Sequence, residues 1–222
     1  MAWVLAAVLI LIGYLALRHL TKRGRHGISL TFLAMVCLVF GFFIWRTWKL
    51  ETELTRAVQT LTADSKITVN CQGFMREFRL DNNLGEVAFD GKGGLSKTAE
   101  LRSSVCGELR DWLGSSKSEP SRDQVIAVHV LSHEAVHASG VASEARTECL
   151  AMQYDAQLAM LLGATSTQAE ELASRYWYEI FPRMPNEYRA TDCFPDGPLD
   201  LTPDDDIWPG GAVQYGVDRA AP

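Results

Sequence analysis

The pentapeptide His133-Glu134-Ala135-Val136-His137 sits inside an amphipathic run from Ser121 to Ser139. Val125, Ile126, Val128, Val130, Leu131, Ala135 and Val136 form the apolar body of that run. Residues four apart on a helix share a face, with Cβ atoms about 5–6 Å apart. Two imidazoles so spaced can reach one zinc ion at about 2.0–2.1 Å. Glu134, one position on, projects about 100° around the helix, where a general base for water on the metal belongs. Ser121-Arg122-Asp123-Gln124 reads as a capping box opening the helix, and Gly140 reads as its stop.

A catalytic zinc takes three protein ligands and keeps a place for water. If Gly140 turns the chain sharply, a second helix from a Ser143 cap to about Leu162, closed by Gly163, runs back antiparallel. Glu144 then faces the end of the first helix near His137, and Glu148 lies one turn on, nearer His133. Two glutamates four apart repel in an isolated helix, and their pairing opposite two histidines suggests a cation between them. We assign Glu144 as third ligand and Glu148 as an acceptor orienting His133 through its far ring nitrogen. The reverse, with Glu148 as ligand, stays open. His129 lies on the same stripe, but the rise from His129 to His137 is about 12 Å, too far to share one ion. It reads as a wall residue or one that supports a ligand.

His133-Glu134-x-x-His137 followed by Glu144-x-x-x-Glu148 resembles the gluzincin pattern, in which a helix after the motif supplies a glutamate ligand and an acid four positions on braces the first histidine. Here the second acid is Glu rather than Asp, and the gap after His137 is shorter. Gly140 resembles the metzincin turn instead, although Ser143 stands at the offset where that pattern has its ligand. The string running on through Glu148-Cys149-Leu150-Ala151 and Pro185-Asn186-Glu187-Tyr188-Arg189 to Cys193 is similar to actinobacterial membrane-anchored proteins. The gluzincin resemblance implies a zincin-like domain with a zinc cofactor and a peptide or protein substrate, and the second likeness implies no known substrate.

The N-terminal quarter reads differently. Residues 1–50 contain no Asp or Glu and six of the 21 Lys/Arg, leaving 15 basic against 27 acidic residues beyond. Trp3–Leu17, which Leu20 extends past Arg18 and His19, and Ile28–Trp45 are apolar runs of the length a bilayer core requires, about 27 Å as helix. The loop between them, 18–27, holds Arg18, Lys22, Arg23 and Arg25. The positive-inside rule makes that loop cytoplasmic and the C-terminal part extracytoplasmic. The expected protein is thus a two-span cell-membrane protein, with the lipid bilayer and an envelope protein as candidate partners. The acidic remainder argues against nucleic acid, which needs a basic surface.

The expected fold class is α+β, mainly α. A transmembrane hairpin (1–48) leads through a helical stalk (49–63) to a small ectodomain (64–200) with a short antiparallel sheet, followed by an irregular acidic tail (201–222). Strands are expected at Lys66–Cys71, Phe74–Leu80 and Glu86–Phe89, and a helix from about Ser96 to Leu113. Thr167-Gln168-Ala169-Glu170 reads as a capping box for a helix to about Phe181. Cys71, Cys106, Cys149 and Cys193, an even number outside the apolar runs, read as two disulfides with three possible pairings. A Cys149–Cys193 bridge would hold the segment after Pro182 over the second helix. Tyr188 and Arg189 are therefore the candidates to stabilise an oxyanion, with Tyr176 and Tyr178 as alternatives. The expected activity is hydrolysis of peptide bonds with Glu134 as base. The rival is a non-catalytic tethered binding or scaffold module.

Overall fold

The computed structural model describes residues 13–14, 27–72, 85–86 and 94–203, with backbone alone for 27–33 and for Glu86. Residues 1–49 and Leu50–Pro222 form two compact units. A single helix, α1 (Gly27–Thr62), runs across the boundary.

The two-span membrane arrangement is corrected here. Among the described residues no helix is long and apolar enough to cross a membrane. Most of the first apolar run and of the basic loop lies outside them. The second run is not a separate element but the first half of α1. Counted from Ala34, where side chains are described, the first eighteen residues already take in Arg46, Lys49 and Glu51. The extracytoplasmic placement was built on two spans and falls with them.

The expected stalk is core. Leu50, Leu54, Ala57, Val58 and Leu61, spaced three and four apart on α1, are all buried in the second unit. Strand β1 (Thr68–Cys71) runs along this helix. The Val69 N–H donates to Thr55 Oγ1 (3.0 Å) and the Cys71 N–H to Glu51 Oε1 (2.9 Å). Gln59 Nε2 donates to the Ile67 carbonyl at 2.8 Å. These side chains occupy backbone groups that an edge strand would otherwise present to another chain.

The sheet order is β1-β3-β2, with β2 at Gly85–Glu86 and β3 at Thr98–Leu101. The antiparallel sheet is also a correction: its principal pairing, β1 with β3 from Thr68↔Thr98 to Cys71↔Leu101, is parallel. Among the described residues only the two-residue β2 pairs antiparallel to β3. The chain between β1 and β3 is long enough for the crossover that parallel strands need. The helix expected from Ser96 starts later, as α2 (Ser103–Leu113). Ahead of it Thr98-Ala99-Glu100-Leu101 alternates, burying Ala99 and Leu101, and that period of two makes a strand. The expected strand Phe74–Leu80 lies outside the described residues.

Three helices complete the unit: α3 (Arg122–Ser139), α4 (Glu144–Leu161) and α5 (Ser166–Arg175). α3 opens on the expected Ser121–Gln124 capping box. It ends at Gly140, whose φ of 120° is a left-handed conformation that glycine adopts without a Cβ penalty. Ser143 caps α4 by accepting from the Arg146 N–H. The box that opens α5 lies two residues earlier than expected, between Thr165 and Gln168. α5 stops at Arg175, and a π-helical turn (Tyr176–Ile180) and a 3-10 turn (Phe181–Arg183) continue the chain.

α3 packs against α2, α4 and β3, so it is central to the unit. Leu54, Ile67, Leu101, Leu109, Trp112, Leu131, Met152, Leu158 and Leu172 are fully buried around it. Truncating such a leucine to alanine costs about 2–5 kcal/mol. Cys71–Cys106 ties β1 to α2, and Cys149–Cys193 ties α4 to the C-terminal segment. These are the two disulfides expected, in one of the three pairings.

Candidate metal centre

The turn at Gly140 sets α3 and α4 side by side and brings three donors together. His133 Nε2 lies 3.1 Å from Glu144 Oε2, and His137 Nε2 lies 3.3 Å from the same oxygen. Two donors about 2.05 Å from a tetrahedral ion are roughly 3.3 Å apart, so both separations fit the edges of one coordination sphere. His133, His137 and Glu144 are thus a group that could hold a metal ion. The histidine side chains are 9% and 10% exposed and that of Glu144 is 46% exposed, so the group opens to solvent on the Glu144 side.

Each far nitrogen is also occupied. His137 Nδ1 lies 2.7 Å from the Val141 carbonyl, in the loop that Gly140 creates. His133 Nδ1 lies 3.0 Å from Glu148 Oε2. Acceptors placed so fix the ring tautomer and turn Nε2 toward an ion, the usual support of a ligating histidine.

Behind Glu148 lies a buried network. Tyr176 donates its hydroxyl to Glu148 Oε1 at 2.6 Å, and its ring stacks on His129 at 3.5 Å between centroids. His129 Nε2 lies 3.0 Å from Glu148 Oε2, and its Nδ1 2.8 Å from Asp155 Oδ2. Burial would favour neutral His129, but Asp155 and Glu148 outweigh it and push the imidazole up to about 10. Burial likewise opposes the charge of Glu148, yet His129 and His133 hold its carboxyl well below the usual carboxylate range. Asp155 is raised, because it is wholly buried and His129 offsets only part of that cost. Burial and the neighbouring Glu148 lift the Tyr176 phenol well above its ordinary value.

Glu134 is buried and faces β2. A Cβ on Gly85 would fall 2.7 Å from both Cγ and Oε1 of Glu134, so only glycine lets the strand come this close. Tyr188, in a 3-10 turn at Asn186–Tyr188, brings its ring within 5.9 Å of His133. Arg189 is not brought to the site: it donates to the carbonyls of Met184 and Pro182 and lies over the Phe181 ring. Tyr178 is exposed.

The sequence reading missed three participants: Gly85, Asp155 and Tyr176 in its bracing role. Asp155 carried a usable signal, because Glu148 and Asp155 are seven apart and share a helical face. Gly85 carried none, since its partner comes from a distant helix.

Compared with protein-family models, curated proteins and solved structures, the chain matches none. The likeness to gluzincins therefore rests on the motif residues alone.

Proposed function

We propose that this protein is a zinc-dependent metallopeptidase. One observation carries the reading: two imidazole nitrogens and one carboxylate oxygen converge at 3.1 and 3.3 Å on a side open to solvent. A zinc ion held there by His133, His137 and Glu144 would act as a Lewis acid toward a peptide carbonyl and make water acidic near neutral pH. Glu134 takes the proton from the attacking water and returns it to the departing amine. Val141 and Glu148 keep the two imidazoles oriented. Tyr188, beside His133, is the candidate donor to the oxyanion.

The position of β2 favours an extended substrate. Among the described residues it is the outer strand of the sheet, and it approaches the proposed base through Gly85. A peptide pairing with β2 would gain main-chain hydrogen bonds while its scissile bond is presented to the site.

The test is a fluorogenic peptide library applied to the purified full chain, loaded with zinc and then stripped by chelator. Cleavage that chelator removes, that zinc restores and that Glu134→Gln abolishes is the expected result. Tight zinc binding without cleavage of any peptide would overturn the peptidase reading in favour of a binding module with a structural metal.

A further inference from the structure

His129 is the histidine of the α3 stripe for which the proposed reaction has no use, yet it is among the best-partnered groups in the chain. It is 3% exposed. Four groups face it: Asp155 and Glu148 from α4, Tyr176 from the π-helical turn, and His133 one turn along its own helix. A neutral imidazole has one N–H and one lone pair, whereas an ionised carboxylate only accepts. Carboxylate oxygens at 2.8 Å from Nδ1 and 3.0 Å from Nε2 therefore call for a proton on each nitrogen, for a proton on the buried Asp155, or for a metal ion on one side.

His129, His133 and Glu148 do form a second group that could hold an ion. The surroundings speak for protons. Glu148 Oε2 stands 3.0 Å from both His129 Nε2 and His133 Nδ1, the centre of the N–H···O range. The Glu148 side chain is 1% exposed, and its other oxygen already accepts from Tyr176. This group has no open side, unlike the one at Glu144.

We propose that His129 is an internal cation, donating one proton to Asp155 and one to Glu148, and that it is a positioning residue for the metal centre rather than a ligand. It fixes the Glu148 carboxylate in place through the 3.0 Å contact with Oε2. Glu148 then accepts from His133 Nδ1, which leaves the Nε2 lone pair aimed at His137 and Glu144. The inference rests on the reading of His133, His137 and Glu144 as the metal site, and it does not depend on what is hydrolysed.

The test uses the full chain, with zinc itself as the probe. In nitrogen-15 spectra at pH 8, His129 should show two ring N–H groups with and without zinc; one ring proton overturns the proposal. Zinc should bind at one equivalent. A second tight equivalent that removes a ring proton from His129 makes it a ligand and overturns the proposal as well. His129→Gln should weaken zinc binding about 10–100-fold in competition with a chelator, with loss of the His133 Nδ1–H signal; unchanged affinity overturns it. If that variant does not fold, the ring-proton count and the stoichiometry of the unaltered chain decide. Failure to cut peptides would sink the peptidase reading and leave these three readouts untouched.

Discussion

The backbone of Gly85 lies against the carboxylate of Glu134, so close that a Cβ on Gly85 would fall 2.7 Å from Glu134 Oε1. Strand β2 and the proposed base are therefore one assembly. Gly85→Ala should push Glu134 aside, lower turnover sharply and leave zinc affinity unaltered. Overpacking of this kind costs about 1–3 kcal/mol of stability. Parallel assays of hydrolysis, zinc content and thermal unfolding check it; full activity in the alanine variant would remove the strand from the mechanism.

Glu134→Gln keeps the shape of the side chain and removes its basicity. Turnover should fall by about 10²–10⁴-fold, the usual worth of a general base. Metal content, measured by elemental analysis, should be that of the unaltered chain.

Zinc must compete with protons for His133. Burial favours the neutral ring, but hydrogen bonds to Glu144 and Glu148 more than offset it and raise His133 above its ordinary 6.5. A raised value means that the metal-free site still holds a proton above pH 6.5. Apparent zinc affinity should therefore keep climbing beyond that pH, by about tenfold per unit for each proton displaced. Chelator competition across a pH series measures the slope, and a curve already flat at pH 6.5 contradicts the prediction.

Stability of the metal-free chain should bend at both ends. Glu148 is lowered in the folded state, so its contribution is present above its ordinary 4.5 and is lost as pH falls toward the folded value. His129 is raised, so its contribution is complete below 6.5 and is lost as pH rises through about 10. The maximum belongs between 4.5 and 6.5, with each group contributing a slope of at most about 1.4 kcal/mol per pH unit. Denaturant titrations over pH check this, and His129→Gln should make the alkaline limb shallower, leaving the part that the raised His133 contributes.

The Cys149–Cys193 bridge closes a long loop, with a sequence separation of 44. Cys193→Ala should cost roughly 2–4 kcal/mol, chiefly by freeing the unfolded chain. It should also loosen the turn that carries Tyr188, lowering turnover while zinc remains bound. Thermal unfolding and a zinc assay on one preparation separate the two effects.

What could be read from the sequence was local. The α3 caps, the stop at Gly140, the Ser143 cap of α4 and the offsets among His133, His137, Glu144 and Glu148 are each set within a few residues, where helical geometry leaves little freedom. The parallel pairing of Thr68–Cys71 with Thr98–Leu101 depends on a distant return of the chain, and alternation says nothing of direction. The apolar run at Ile28–Trp45 misled for a related reason. Hydropathy averaged over a window does not show that one helix carries on into Leu50, Leu54 and Val58 of a core. For Arg189 the sequence does not show that a guanidinium can be spent on carbonyls of its own loop, as it is at Met184 and Pro182.

The left-handed turn at Gly140 leaves the three donor side chains within residues 133–144, on either side of one bend. Loops this short cost little entropy to close. If the hairpin gathers these three donors before the sheet forms, an ion captured then would act as an early clasp on the growing structure. Metal uptake would in that case report the birth of one hairpin, and completion of the domain would have to be followed through the remote bridge between Cys71 and Cys106.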